Sequence, residues 1–181
     1  MIGFKDEVRD FDIQRSLNLQ MNPLYNLKNI IRYNNVEKIN TESVAEHTFF
    51  VMSVVNELHN FYDFNLGKAL QMALVHDYPE IYIDDIAWPI KNAFPKVAKA
   101  LKEAEEEAIE KFSPNVIEAF FEYEEKSGVE ALVVSFADMY SVCMYSESEK
   151  RLGNASHIKH IAERSKADMI TRMQKLQEFK R

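Results

Sequence analysis

Apolar positions along this 181-residue chain recur at intervals of three and four, and no stretch keeps the two-residue alternation of a half-buried strand. Leu24, Leu27, Ile30 and Ile31 form one such stripe after Asn22-Pro23, an N-cap with proline at the first helical position. Asn34-Asn35 ends it, and 34–42 is expected to be a loop. Ser43 with Glu46 makes a capping box, starting a helix whose stripe is Val44, His47, Val51, Val54, Val55 and Leu58. Asn65 caps the next, with Leu66, Ala69, Leu70, Ala73, Leu74 and Asp77 on one face and Pro79 helping to end it. Residues 81–95, containing Trp88-Pro89 and Phe94-Pro95, look like an ordered loop with a brief helical turn. Val97, Leu101, Ala104, Ala108, Ile109 and Phe112 face inward from a further helix, leaving Glu103, Glu105, Glu106, Glu107 and Glu110 as a solvated face. Pro114 opens a helix to about Glu125, another spans 129–152 up to the stop signal Gly153-Asn154, and an amphipathic helix over 156–179 packs on the rest. The first 21 residues lack a firm pattern, with Phe11, Ile13 and Leu17 available to dock on the domain. The expected architecture is all-α: about six or seven helices in a single domain over 1–181.

Three polar interruptions of these stripes change the picture. His47 sits in the apolar face of its helix, and Asp138 lies between Val134 and Val142 in the helix after Gly128. His76-Asp77 ends an otherwise apolar segment. A carboxylate buried at position 138 needs a partner, because an unpaired buried charge is prohibitive. Each anomaly alone has a structural explanation: a hydrogen-bonded core histidine, a carboxylate paired with arginine, a polar pair at a helix end. Together they share one explanation, since a divalent cation would satisfy His47, His76, Asp77 and Asp138 and leave positions open for water and substrate. His59, His157 and His160 lie among charged or exposed positions and are not assigned to the metal.

Composition narrows the class. Hydrophobic residues at 46% and charged residues at 28% suit a globular chain, and no apolar run approaches the ~18 residues of a membrane span. Only 4 Gly and 5 Pro favour long helices over a many-turned β fold. A net charge of −7 argues against broad binding to nucleic-acid backbone. The single Cys143 allows no intrachain disulfide, and the amino terminus has no apolar signal core, so a cytoplasmic location is expected.

The order His47…His76-Asp77…Asp138 resembles the H…HD…D signature of HD-domain phosphohydrolases. Arg32-Tyr33, Glu42-Ser43-Val44-Ala45-Glu46-His47, His76-Asp77-Tyr78-Pro79-Glu80 and Asp85-Ile86-Ala87-Trp88-Pro89-Ile90-Lys91 narrow the resemblance to the bacterial 5′-deoxynucleotidase (YfbR-like) branch, over about 27–154. The resemblance implies an all-helical HD domain and one divalent ion (Mn, Co, Fe, Ni, Zn or Mg) on His47, His76, Asp77 and Asp138. It implies that Glu80 and Asp85 handle the attacking water and its proton. It places Arg32 on the phosphate and Tyr33 against the sugar, where the family often has Trp; Lys91 is either a second cation for the phosphate or a solvated loop lysine. Asp84 and Ala87-Trp88 depart from the Gly and Pro-Thr of the family loop, and Trp88 is a candidate to stack on a base or seal the pocket.

The implied activity is hydrolysis of deoxyribonucleoside 5′-monophosphates to nucleoside and phosphate, by a homodimer or higher homo-oligomer that binds neither nucleic acid nor membrane. Two alternatives stand beside it: a deoxynucleoside triphosphate hydrolase releasing triphosphate, and a catalytically silent helical module in which the metal is structural or a nucleotide is only sensed.

Overall fold

Side-chain caps start the two helices that carry the histidines. Ser43 Oγ accepts from the Glu46 amide at 3.2 Å while the Glu46 carboxylate accepts from the Ser43 amide at 2.8 Å, and α1 (Val44–Leu58) runs on from this box. Asn65 accepts from the Lys68 amide at 3.1 Å and opens α2 (Leu66–Val75). In the computed structural model, which describes residues 12–15, 17–18, 21–126 and 128–180, six further helices follow. They are α3 (Glu80–Ile83), α4 (Trp88–Ala93), α5 (Pro95–Ile109), α6 (Pro114–Glu124), α7 (Gly128–Arg151) and α8 (Ala155–Leu176). The described residues contain no strand, only the isolated bridges Ile31–Ser43 and Tyr62–Lys180. The all-α expectation holds; among the described residues, 81–95 contains most of α3 and all of α4 where an ordered loop with a brief helical turn was expected, which adds to the six or seven helices anticipated.

The helix expected after Asn22-Pro23 is not formed as such. The chain is already helical at 21–24, tightens into a 3-10 turn at Tyr25–Asn29, and then extends. Ile30 and Arg32 pair with the segment before α1 instead, through Val44 N–H to the Ile30 carbonyl and Arg32 N–H to the Glu42 carbonyl, both 2.9 Å. These non-local bonds override the local stripe and bring Arg32 beside the start of α1.

α7 is the central element, packed on α1, α2 and α6 and most extensively on α8. Val133, Val134 and Ala137 of α7 meet Val44, Val51 and Val55 of α1 and Ala69 and Ala73 of α2 in the core, all fully buried. It is the one helix among the described residues long and apolar enough to cross a membrane, and here it is enclosed by the bundle. Gly153 ends it at φ +105°; a Cβ there would meet nothing within 4 Å, so the demand for glycine is conformational. Three smaller expectations are corrected. Val97 is 41% exposed, Ile13 and Leu17 are exposed rather than docked, and Glu105 turns inward from its helix. Phe11 lies outside the described residues.

Candidate active site

Three helices deliver the polar interruptions to one point. His47, in the first turn of α1, has Nε2 3.4 Å from Asp138 Oδ1 of α7 and 3.4 Å from His76 Nε2 at the end of α2. Asp77 Oδ2 lies 3.2 Å from His76 Nε2, 3.6 Å from His47 Nε2 and 3.6 Å from Arg32 Nη1. His47, His76 and Asp138 form the tightest set, each offering an atom within 4.8 Å of the others, and Asp77 borders it while shared with Arg32. The outer ring nitrogens are engaged elsewhere. His76 Nδ1 donates to the Ala73 carbonyl at 2.7 Å, and His47 Nδ1 lies 3.0 Å from Ser141 Oγ. Donation from Nδ1 leaves the two Nε2 lone pairs facing one another, an arrangement that a cation between them satisfies. Donor separations of 3.2–3.6 Å are those of ligand atoms around one ion with bonds of about 2.0–2.2 Å, so the set fits a divalent metal.

The electrostatics agree. Burial opposes ionisation of Asp138, but the neighbouring His47 and, after it, His76 outweigh it and hold the carboxyl well below its usual range. Burial likewise opposes the charge on Asp77, and His76, His47 and Arg32 together reverse the balance. Burial and the nearby Arg32 push His47 down to about 4, keeping it a neutral donor at pH 7. His76 moves the other way: burial is overcome by Asp77 and Asp138, so a proton entering this pair goes to His76. Glu80 is pushed well above the carboxylate range by burial and by Asp77 and Asp85, and Asp85 is raised chiefly by burial. Carboxylates therefore outnumber cations here, and a bound divalent ion redresses the excess.

A cavity of about 150 Å³ adjoins the donors, lined in part by His76, Asp77, Glu80, Lys91, Tyr123 and Asp138. A larger open hollow of about 400 Å³, bordered by Lys28, Ser43, Ala45, Glu46 and Phe49, shares none of these residues. Glu80 enters the first turn of α3 after the chain turns through 76–79, and its Oε2 is buried without a hydrogen-bond partner. Tyr33 Oη is likewise buried without a hydrogen-bond partner, and Arg32 Nε and Glu42 Oε2, buried too, face only each other at 3.6 Å, beyond hydrogen-bond reach. Such atoms are costly to leave alone, and a polar ligand is one way to satisfy them.

The remaining predicted residues are placed as follows. Arg32 is held between Glu42 (3.6 Å) and Asp77 (3.6 Å). Tyr33 has φ +59°, its amide donates to Asp85 Oδ2 at 3.3 Å, and its ring stacks on Tyr145 with centroids 4.4 Å apart. Lys38 Nζ ties this strained corner by donating to the Arg32 and Tyr33 carbonyls at 2.7 and 3.0 Å. Lys91 reaches the cavity and pairs with Glu105 at 3.0 Å. Trp88 is half-exposed, and the Arg164 guanidinium of α8 lies 3.3 Å above its ring. Sequence reasoning overlooked Ser141, Tyr145, Glu149 and Arg172. Ser141, Tyr145 and Glu149 follow Asp138 at helical spacing, and that shared face was the available signal.

Comparison with known proteins fits this geometry. A solved HD-domain phosphohydrolase from Listeria innocua is 25% identical, with a TM-score of 0.70 over 86% of this chain and 80% of its own. The cyanophage S-2L HD phosphohydrolase DatZ, solved with dA and one catalytic Zn²⁺ ion, is 21% identical, with a TM-score of 0.67 over 86% of this chain and 84% of its own; it supports the fold. The class is thus the HD-domain phosphohydrolases, which makes this protein a metal-dependent hydrolase. The family model for YfbR-like 5′-deoxynucleotidases matches residues 20–180, and the chain belongs to that family. The 5′-deoxynucleotidase PM0747 of Pasteurella multocida is 31% identical over 143 residues, 72% of each chain.

Proposed function

We propose that the protein hydrolyses deoxyribonucleoside 5′-monophosphates to nucleoside and phosphate. The observation that carries this reading is the facing Nε2 pair of His47 and His76 with Asp138 and Asp77, set beside Glu80, whose Oε2 is buried without a hydrogen-bond partner. Family membership and the 5′-deoxynucleotidase from Pasteurella support the substrate class, and the dA in the cyanophage neighbour is consistent with it. His47, His76, Asp77 and Asp138 would hold the ion. A divalent metal there supplies Lewis acidity, polarising a phosphoryl oxygen and acidifying water. Glu80 takes the proton of the attacking water and passes it to the 5′ oxygen as the bond from phosphorus to that oxygen breaks. Arg32 offers a planar fork of donors to the phosphate, and Lys91 adds positive charge across the cavity. Asp85 holds the Tyr33 backbone, so that Tyr33 forms the wall against the sugar, and Trp88 covers the mouth.

Arg32 is shared between two carboxylates and Lys91 is paired with Glu105, so few free cations face the cavity. That favours one phosphoryl group over a triphosphate. The same reading makes 1–181 one functional domain, working in the cytoplasm as a homo-oligomer without nucleic acid.

The test incubates chelator-stripped protein, with Mn²⁺, Co²⁺, Zn²⁺ or Mg²⁺ restored, with each deoxy- and ribonucleoside monophosphate and each deoxynucleoside triphosphate, and identifies products by mass. Phosphate released from deoxynucleoside monophosphates, only when metal is present, is expected. Triphosphate as the main product would overturn the monophosphate reading. Asp77→Ala is expected to abolish turnover while the far-ultraviolet circular dichroism stays helical; persisting turnover would remove Asp77 from the ligand set.

A further inference from the structure

We infer that Arg172, on the C-terminal helix α8, is a positioning residue of the metal centre that holds Asp138 so that one chosen oxygen faces the histidines. The inference rests on the metal-site reading above. Arg172 Nη1 lies 3.4 Å from Asp138 Oδ2, whereas Asp138 Oδ1 lies 3.4 Å from His47 Nε2. The two carboxylate oxygens therefore have different partners, one on the histidine side and one on the α8 side. The same Nη1 donates to the carbonyl of Ser135, three residues before Asp138 on α7, so the guanidinium is fixed to the backbone of the helix whose side chain it steers.

An aspartate carboxylate turns about a broad, roughly two-fold torsion, and nothing intrinsic favours one oxygen over the other. Arg172 breaks that equivalence. With Oδ2 occupied, Oδ1 alone is turned toward His47 and His76, which suits monodentate ligation and leaves the cavity side open. The guanidinium is weakly hydrated and its donors sit in a rigid fork, which suits it to a partly buried place between the Ser135 carbonyl and Asp138. α8 thereby becomes part of the active site although none of its side chains is among the donors.

Partners of metal ligands typically contribute about 10–100-fold in metal affinity. The test measures Mn²⁺ affinity by calorimetry, and the visible absorption of bound Co²⁺, on chelator-stripped full-length protein. Arg172→Met and Arg172→Gln keep the stem and remove the guanidinium; Lys175→Ala removes one charge from an exposed site on the same helix. Both Arg172 variants are expected to bind Mn²⁺ about 10–100-fold more weakly and to change the Co²⁺ band, with Lys175→Ala staying within about threefold of wild type. Arg172→Lys is expected to recover part of the loss. An Arg172→Met or Arg172→Gln protein that folds and binds Mn²⁺ like Lys175→Ala overturns the inference. So does loss of the native fold in both metal-free variants, which would make Arg172 a fold residue. A wild-type chain that binds no divalent ion overturns the metal-centre reading itself, whereas intact wild-type binding with unaffected Arg172 variants overturns this inference alone.

Discussion

Replacing Glu149 tests how the loop before α1 is held over the site. The side chain is fully buried near the end of α7, and its carboxylate accepts from the amides of Ile39 and Asn40, both at 2.8 Å, and from Asn154 Nδ2 at 2.7 Å. Hydrogen bonds to a charged group contribute about 1.5–3 kcal/mol each, but they do not add simply. Ile39 is 56% exposed, so the freed amides regain water in part, which lowers the net cost of Glu149→Ala to about 2–4 kcal/mol. At roughly 2–4 °C per kcal/mol for a chain of this size, the unfolding midpoint should fall by several degrees. Thermal unfolding followed by circular dichroism measures it, and hydrogen exchange at Ile39 and Asn40 shows whether the loop is what loosens. Burial alone would raise the carboxyl's pKa, but the two amides and Asn154 outweigh it and place it below 4.5. Its contribution is thus complete above that pH and lost as pH falls through the lower folded value, where wild type and Glu149→Gln should converge. A midpoint within a degree of wild type at pH 7, with unchanged exchange in the loop, would refute the reasoning.

Asp84 sits at φ +67° and ψ 169°, a region that glycine occupies freely and other residues at a cost of about 1–3 kcal/mol. Asp84→Gly loses an exposed 3.0 Å bond to the Asp85 amide and some chain entropy, so a net gain of about 1 kcal/mol is expected as a higher unfolding midpoint; a lower one counts against it. Burial is the main cause raising Glu42 to about 7, from 4.5, against the pull of Arg32. The folded chain therefore holds that proton longer than the unfolded one, and wild-type stability falls between those two pH values. Glu42→Gln, measured with chelator present, should match wild type near pH 4 and exceed it by about 1–3 kcal/mol above pH 7; a pH-independent difference would contradict the assignment.

The sequence made the site legible where a polar residue interrupts an apolar stripe. His47 and Asp138 stood out because α1 and α7 otherwise bury aliphatic side chains, and burial demands a partner for each. Glu149 gave no such signal, since Ser146-Glu147-Ser148-Glu149-Lys150 has the composition of a solvated helix end. What buries it is a loop more than a hundred residues earlier, which no local periodicity reports. Glu105 was lost in the same way, its fate decided by Lys91 across the α4–α5 corner. The extended segment after Asn29 was missed for the converse reason, because its apolar spacing suits a helix while its amides and carbonyls find partners around Ser43. Arg32 was nameable only through the family resemblance, since position in an irregular segment says nothing of direction.

Glu149 shares α7 with Ser141 and Tyr145, which were also overlooked. Because the helix is enclosed by α1, α2, α6 and α8, contrast between an apolar and a polar face largely disappears, and a residue such as Asp138 looks isolated. Followed at helical spacing, however, Asp138, Ser141, Tyr145 and Glu149 form one continuous polar line. Asp138 faces His47, Ser141 meets the outer nitrogen of the same ring, Tyr145 stacks on Tyr33 and donates to the Asn40 carbonyl at 2.7 Å, and Glu149 holds the amides of Ile39 and Asn40. One face of one helix thus sets the donor atom, the orientation of a histidine, the wall beside Arg32 and the loop that carries that wall. Slipping or rotating α7 by a single residue would disturb all four together, which ties the geometry of the site to the packing of the core.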